Sequence, residues 1–109
     1  MQLYNKYDKE TLREKLMAED FNRITLSFYR YIILDDVPGL RDSMYKSLSE
    51  LSVFGRIYLA HEGVNAQISV PQQNWELFQN YLNRSEYFNG VDLKIAIEDD
   101  GKSFYKLIV

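Results

Sequence analysis

Residues 53–71 read VFGRIYLAHEGVNAQISVP. The second half of this stretch alternates without a break. Val64, Ala66, Ile68 and Val70 share one side, and Asn65, Gln67 and Ser69 share the other. Period two with β-branched residues predicts a half-buried strand. Gly55 opens a second strand, Arg56 to Ala60, and His61-Glu62-Gly63 between them predicts a hairpin turn in which Gly63 takes a positive φ. Pro71 has no N–H to give a ladder, so it stops the strand and starts a helix.

The same two periods continue outward. Upstream, Ile24, Leu26 and Phe28 face one way, while Thr25, Ser27, Tyr29 and Tyr31 face the other, which predicts a strand over 23–34. Asp35 and Asp36 end it. Pro38 suits a first helical turn, and Leu40, Met44, Leu48 and Leu51 follow at helical spacing. Downstream, Trp75, Phe78 and Leu82 give a second helix its buried face. Gly90 marks a turn, Leu93, Ile95 and Ile97 a fourth strand, Asp99-Asp100-Gly101 another turn, and 104–109 a short apolar strand. Residues 8–20 predict a leading helix with Asp8 as N-cap and a narrow stripe of Leu12, Leu16 and Met17. The rest of that helix is charged, as expected for one lying on the surface of something larger.

The order is therefore βαββαβ, the split βαβ arrangement. The fold class is α+β: a ferredoxin-like (acylphosphatase-like) βαββαβ sandwich with an extra N-terminal helix and a C-terminal extra strand. Residues 1–22 form the helical extension and 23–109 the ferredoxin-like domain. The sequence stops inside the apolar run FYKLIV, so a fragment of a longer chain is expected.

Composition narrows the function. A chain of 109 residues holds one domain, and 46% hydrophobic with 27% charged residues is ordinary globular composition. There is no cysteine and one histidine, so neither thiol chemistry nor a histidine-rich metal site is expected. The net charge of −3 makes the domain as a whole no magnet for nucleic acid. Neither a bilayer-spanning run nor a signal peptide is legible, and a cytoplasmic location is expected. Aromatic residues stand out at 15%, nine of them tyrosines.

The alternation assigns side chains to the sheet face that the two helices leave uncovered. These are Thr25, Ser27, Tyr29 and Tyr31 from the first strand and Arg56 and Tyr58 from the second. The third adds Asn65, Gln67 and Ser69, and the fourth Lys94. Aromatic rings for stacking, amides for base edges and cations for phosphates are what a single-stranded RNA platform needs. The same face serves equally as an interface, covered by the 8–20 helix or by a further domain. The RNP run of an RRM is absent.

Three short motifs carry less. Gly101-Lys102-Ser103 lacks the preceding P-loop glycine, whose place is Ala96, and a strand rather than a helix follows. Lys102 is then a solvated turn lysine or one placed to meet a nucleic-acid phosphate. His61-Glu62 begins like HExxH, but Asn65 stands where the second histidine belongs. The His61, Glu62 and Gly63 turn remains of interest because it gathers an imidazole and a carboxylate on one loop. An acylphosphatase binds phosphate in the loop after its first strand. Here that loop, 34–37, has no arginine and two carboxylates.

SFYRY at 27–31, VFGRIYLAHEGVNAQISVP at 53–71 and DDGKSFYKLIV at 99–109 together closely resemble the rhodanese-related tRNA uridine hydroxylase family. The resemblance covers most of 24–109. It implies the N-terminal domain of an enzyme that makes 5-hydroxyuridine at the tRNA wobble position, with molecular oxygen as co-substrate. The family's catalytic cysteine lies in the rhodanese domain, so these residues carry no catalytic residue and no cofactor of their own. The implied partners are tRNA and that rhodanese domain in cis, with no membrane. The RNA-contacting candidates are Tyr29, Arg30, Tyr31, Arg56, Tyr58, Asn65, Gln67, Lys94 and Lys102. Among them, Arg30 falls on the covered side by strict alternation. The alternatives are a structural module docked on the rhodanese domain and, behind it, an acylphosphatase-like hydrolase.

Overall fold

The computed structural model describes residues 9–96 and 104–109. The elements run α1 (Lys9–Met17), β1 (Arg23–Tyr31), α2 (Val37–Glu50), β2 (Phe54–Ala60), β3 (Gly63–Pro71), α3 (Trp75–Arg84), β4 (Lys94–Ile95) and β5 (Leu107–Ile108). They form one five-stranded sheet in the order β4-β1-β3-β2-β5. The β4-β1-β3-β2 part is antiparallel throughout, and β5 adds to β2 in parallel. This is the ferredoxin-like α+β arrangement that the alternation predicts.

The side chains read as inward-facing form the core. Leu26, Phe28, Ile57, Ala66, Ile68 and Val70 pack with Met44 and Leu48 of α2 and with Phe78 and Leu82 of α3. Phe88 meets Phe28 edge-on at 6.1 Å between centroids. The Asp36 side chain accepts from the Gly39 N–H at 3.1 Å and so caps α2.

Several boundaries differ from the sequence expectation. A 3-10 turn, Gln72–Asn74, precedes α3 after Pro71. In α1, Leu12 and Leu16 are buried but Met17 is exposed, because the helix ends there and only the i, i+4 pair shares a face. β4 and β5 have two residues each, shorter than 93–97 and 104–109 suggested. They lie on opposite edges of the sheet. Asp8, Ile97 and the Asp99-Asp100-Gly101 turn lie outside the described residues.

Gly63 is needed for a reason other than a left-handed turn. Its backbone is close to extended, with φ 159°, but a Cβ there would overlap the Arg30 carbonyl oxygen of the neighbouring strand. The hairpin thus lies so tightly against β1 that only glycine fits.

Candidate nucleic-acid interface

Cross-strand register sorts the uncovered sheet face into rows. One row is Lys94, Ser27, Gln67, Arg56 and Ile108. The next is Tyr29, Asn65 and Tyr58, and the one beyond it Tyr31, Gly63 and Ala60. Seven of the nine RNA-contacting candidates therefore share one face: Tyr29, Tyr31, Arg56, Tyr58, Asn65, Gln67 and Lys94. Lys102 lies outside the described residues. Arg30 does not join them. Its guanidinium donates to the carbonyls of Tyr87 and Asn89, both at 2.9 Å, on the helix side. It ties β1 to the turn after α3, so its guanidinium lies away from the uncovered face.

The face is not open along its whole length. At the start of β1, Arg23 and Ser69 belong to it by register, yet both are buried. The Arg23 guanidinium pairs with Glu19 at 2.8 Å and donates to the Ser52 carbonyl at 2.8 Å. It also lies 4.0 Å from the Phe54 ring centroid. Across the middle, Phe104 lines one hollow with Thr25, Ser27, Gln67 and Lys94, and another with Gly55, Arg56 and Ile108. Phe104 thus borders the Gln67 row without burying it, since Gln67, Arg56 and Lys94 stay exposed.

Beyond that row the tyrosines gather at the far end of the face, while Gln67, Arg56 and Lys94 of the middle row are themselves exposed. Tyr29, Tyr58 and Tyr31 are 58%, 64% and 86% exposed. Tyr29 and Tyr31 meet edge-to-face at 6.1 Å, and the Lys94 ammonium sits 5.5 Å from the Tyr29 ring centroid. With Asn65 and Glu62 these rings line a shallow groove of about 350 Å³. Exposure of three neighbouring tyrosines costs apolar burial, and such rimmed aromatic patches mark binding surfaces.

The His61-Glu62 turn is clamped to the end of β1. The Leu34 N–H donates to the His61 carbonyl at 2.9 Å, and the Ile32 N–H to the Glu62 carbonyl at 3.0 Å. His61 Nδ1 lies 3.2 Å from the Leu34 carbonyl oxygen. A carbonyl only accepts, so Nδ1 carries the hydrogen. The loop trio splits accordingly. Gly63 and Glu62 border the tyrosine groove, while His61 turns to a second hollow with Ile33, Asp35 and Glu62.

The loop after β1 gives a phosphate no cradle. Asp36 is engaged as a helix cap, and Asp35 stands beside it. Partial burial raises the Tyr87 hydroxyl above the ordinary tyrosine range, and the carboxylates of Glu86, Asp35 and Asp36 add to the rise. This corner is negative, which disfavours phosphoryl substrates. Among the described residues no group of three His, Cys, Asp or Glu is placed to hold a metal, and no helix is long and apolar enough to cross a membrane.

Sequence reading missed two parts of this surface. Ile33 is exposed beside the turn, and Phe104 borders two hollows of the face instead of joining a strand.

Comparison with known proteins bears on the same segment. Residues 23–109 match the family model described as UPF0176 acylphosphatase like domain. The tRNA uridine(34) hydroxylase of Leptospira interrogans is 51% identical over 105 residues, covering 96% of this chain and 29% of that protein. Those of an Enterobacter species and of Escherichia coli O127:H6 are 48% and 47% identical over 106 residues, with 96% and 30% covered in each case. The chain thus spans about 30% of the length of the curated relatives it matches. The coverage and identity together establish that the chain belongs to the UPF0176 acylphosphatase-like domain family, as the segment it shares with proteins named tRNA uridine(34) hydroxylase.

Proposed function

We propose that this chain is the N-terminal, RNA-positioning domain of a tRNA uridine(34) hydroxylase. The observation that carries the reading is the cluster of three exposed tyrosines on the sheet face, with the exposed Arg56 and Lys94 one row away. An enzyme acting on one base of an anticodon loop must hold a splayed single strand, and rings, amides and cations on an open sheet do that. The chemistry belongs to the rest of the longer protein. There a rhodanese domain carries the reacting groups, with molecular oxygen as co-substrate, in the cytoplasm. The 109-residue chain, without cysteine, holds substrate and does not turn it over.

The test is fluorescence anisotropy of the 109-residue chain with a labelled anticodon stem-loop RNA across a salt series. Binding should weaken as salt rises, and Arg56→Ala should reduce the salt slope by about one. Tyr58→Ala should weaken binding without that change. No binding at low salt would refute the reading.

A second reading has its own observation. Ile33 and Tyr31 stand exposed side by side next to the hairpin turn, as they would if the remainder of the protein docked there. In that case the isolated chain self-associates or binds dyes for apolar surface, and it fails the RNA assay.

A further inference from the structure

The Tyr29, Asn65 and Tyr58 row has a geometry that goes beyond a general stacking surface. The three residues are direct register partners on adjacent strands, so Asn65 lies midway between the two tyrosines. Strands lie about 4.8 Å apart, which places the two tyrosine-bearing backbones about 9.6 Å apart. A planar ring inserted between two others needs about 7 Å between the flanking planes, two contacts of about 3.5 Å. A modest lean of both side chains towards Asn65 makes up the difference, and both are exposed enough to lean. The Lys94 ammonium approaches Tyr29 from β4, on the side of β1 away from β3. The other side of that ring is left to the groove.

We infer that this groove takes one unstacked nucleobase, inserted edge-first between Tyr29 and Tyr58, with the Asn65 carboxamide at its floor pairing with the base edge. The inference rests on the RNA-positioning reading above and narrows it to one nucleotide. An amide offers one acceptor and two donors in a plane, which matches the adjacent donor and acceptor of a base edge. An apolar side chain in the same place would leave the Asn65 amide unpaired. The two ends of the groove fix the direction of the strand. On one side the row of exposed Arg56 and Lys94 supplies cations for phosphates. On the other side the Glu62 carboxylate repels them. The sugar-phosphate backbone therefore lies towards Arg56 and Lys94.

The experiment scans the anticodon stem-loop RNA with single abasic substitutions against the 109-residue chain and its variants. One loop position should lose at least tenfold in affinity when its base is removed, with its neighbours changing far less. Tyr29→Leu and Tyr58→Leu should each lose about tenfold at unchanged salt slope, because stacking and not charge is removed. Tyr29→Phe and Tyr58→Phe should retain binding. Asn65→Ala should flatten the preference among the four bases at the sensitive position. Circular dichroism of each variant checks the fold, which substitutions at these exposed positions leave intact. If wild-type chain binds but losses spread evenly over the loop, or the leucine variants bind as wild type, the single-base site is overturned while the RNA surface stands. If wild-type chain does not bind, both fall.

Discussion

The guanidinium of Arg23 holds three parts of the chain at once. It pairs with Glu19 before β1, donates to the Ser52 carbonyl after α2, and reaches Ser69 of β3 at 3.3 Å for the carbonyl and 3.4 Å for the hydroxyl. The Phe54 ring covers it. Removing the guanidinium takes this pair from Glu19 and leaves the Ser52 and Ser69 carbonyls without their donor, a loss of about 3 kcal/mol. Arg23→Ala should therefore lower the thermal midpoint by more than about 10 °C in a calorimetric scan. Arg23→Lys should recover little of that loss, because an ammonium cannot make the same fork of hydrogen bonds and stacks less well on a ring. A midpoint within a few degrees of wild type for Arg23→Ala would show that the network adds nothing net. Little in the sequence foretells this role. Alternation puts Arg23 on the uncovered side, and the only local signal is the acidic Glu19 four residues earlier. The tyrosines differ, since period two alone assigns Tyr29, Tyr31 and Tyr58 to their face.

The end of α2 shows how an element closes without its preferred residue. Leu51 is the C-cap, and Ser52 follows with φ 58°, a left-handed conformation that glycine adopts more readily. The Ser52 N–H donates to the Ser49 carbonyl and the Val53 N–H to the Leu48 carbonyl, both at 3.0 Å, so the chain turns sharply into β2. A non-glycine residue in this region costs about 1 kcal/mol. Ser52→Gly should raise the stability by about that amount in urea unfolding, with an unchanged m-value. A destabilised Ser52→Gly would mean that the flexibility gained by the unfolded chain outweighs the relief. Elements with a long, regular pattern were legible in the sequence: β1, β3 and the α2 face of Leu40, Met44 and Leu48. The last two strands were placed by their apolar residues, but their two-residue lengths were not legible, because a pattern of two residues has no period.

At the scale of the whole molecule, the order of elements was enough to place seven candidate residues on one face. The covering of that face was not legible. It depends on contacts between segments distant in sequence, Arg23 with Ser69 at one end of the face. The open surface is therefore shorter than alternation alone implies, because the Arg23 and Ser69 end is buried. The fifth strand has a further consequence. β5 is joined to β2 at two register pairs, Gly55 with Leu107 and Arg56 with Ile108, and Gly55 N–H donates to the Lys106 carbonyl at 2.8 Å. This short seam occupies the outer backbone of β2, whose donors and acceptors would otherwise template a foreign strand. A chain shortened to residues 1–103 should scatter light increasingly over hours at concentrations where the 109-residue chain stays monodisperse, and equal scattering would show that β2 needs no such guard. The last six residues thus act as a selvedge, finishing the woven edge of the sheet so that one molecule does not unravel into the next.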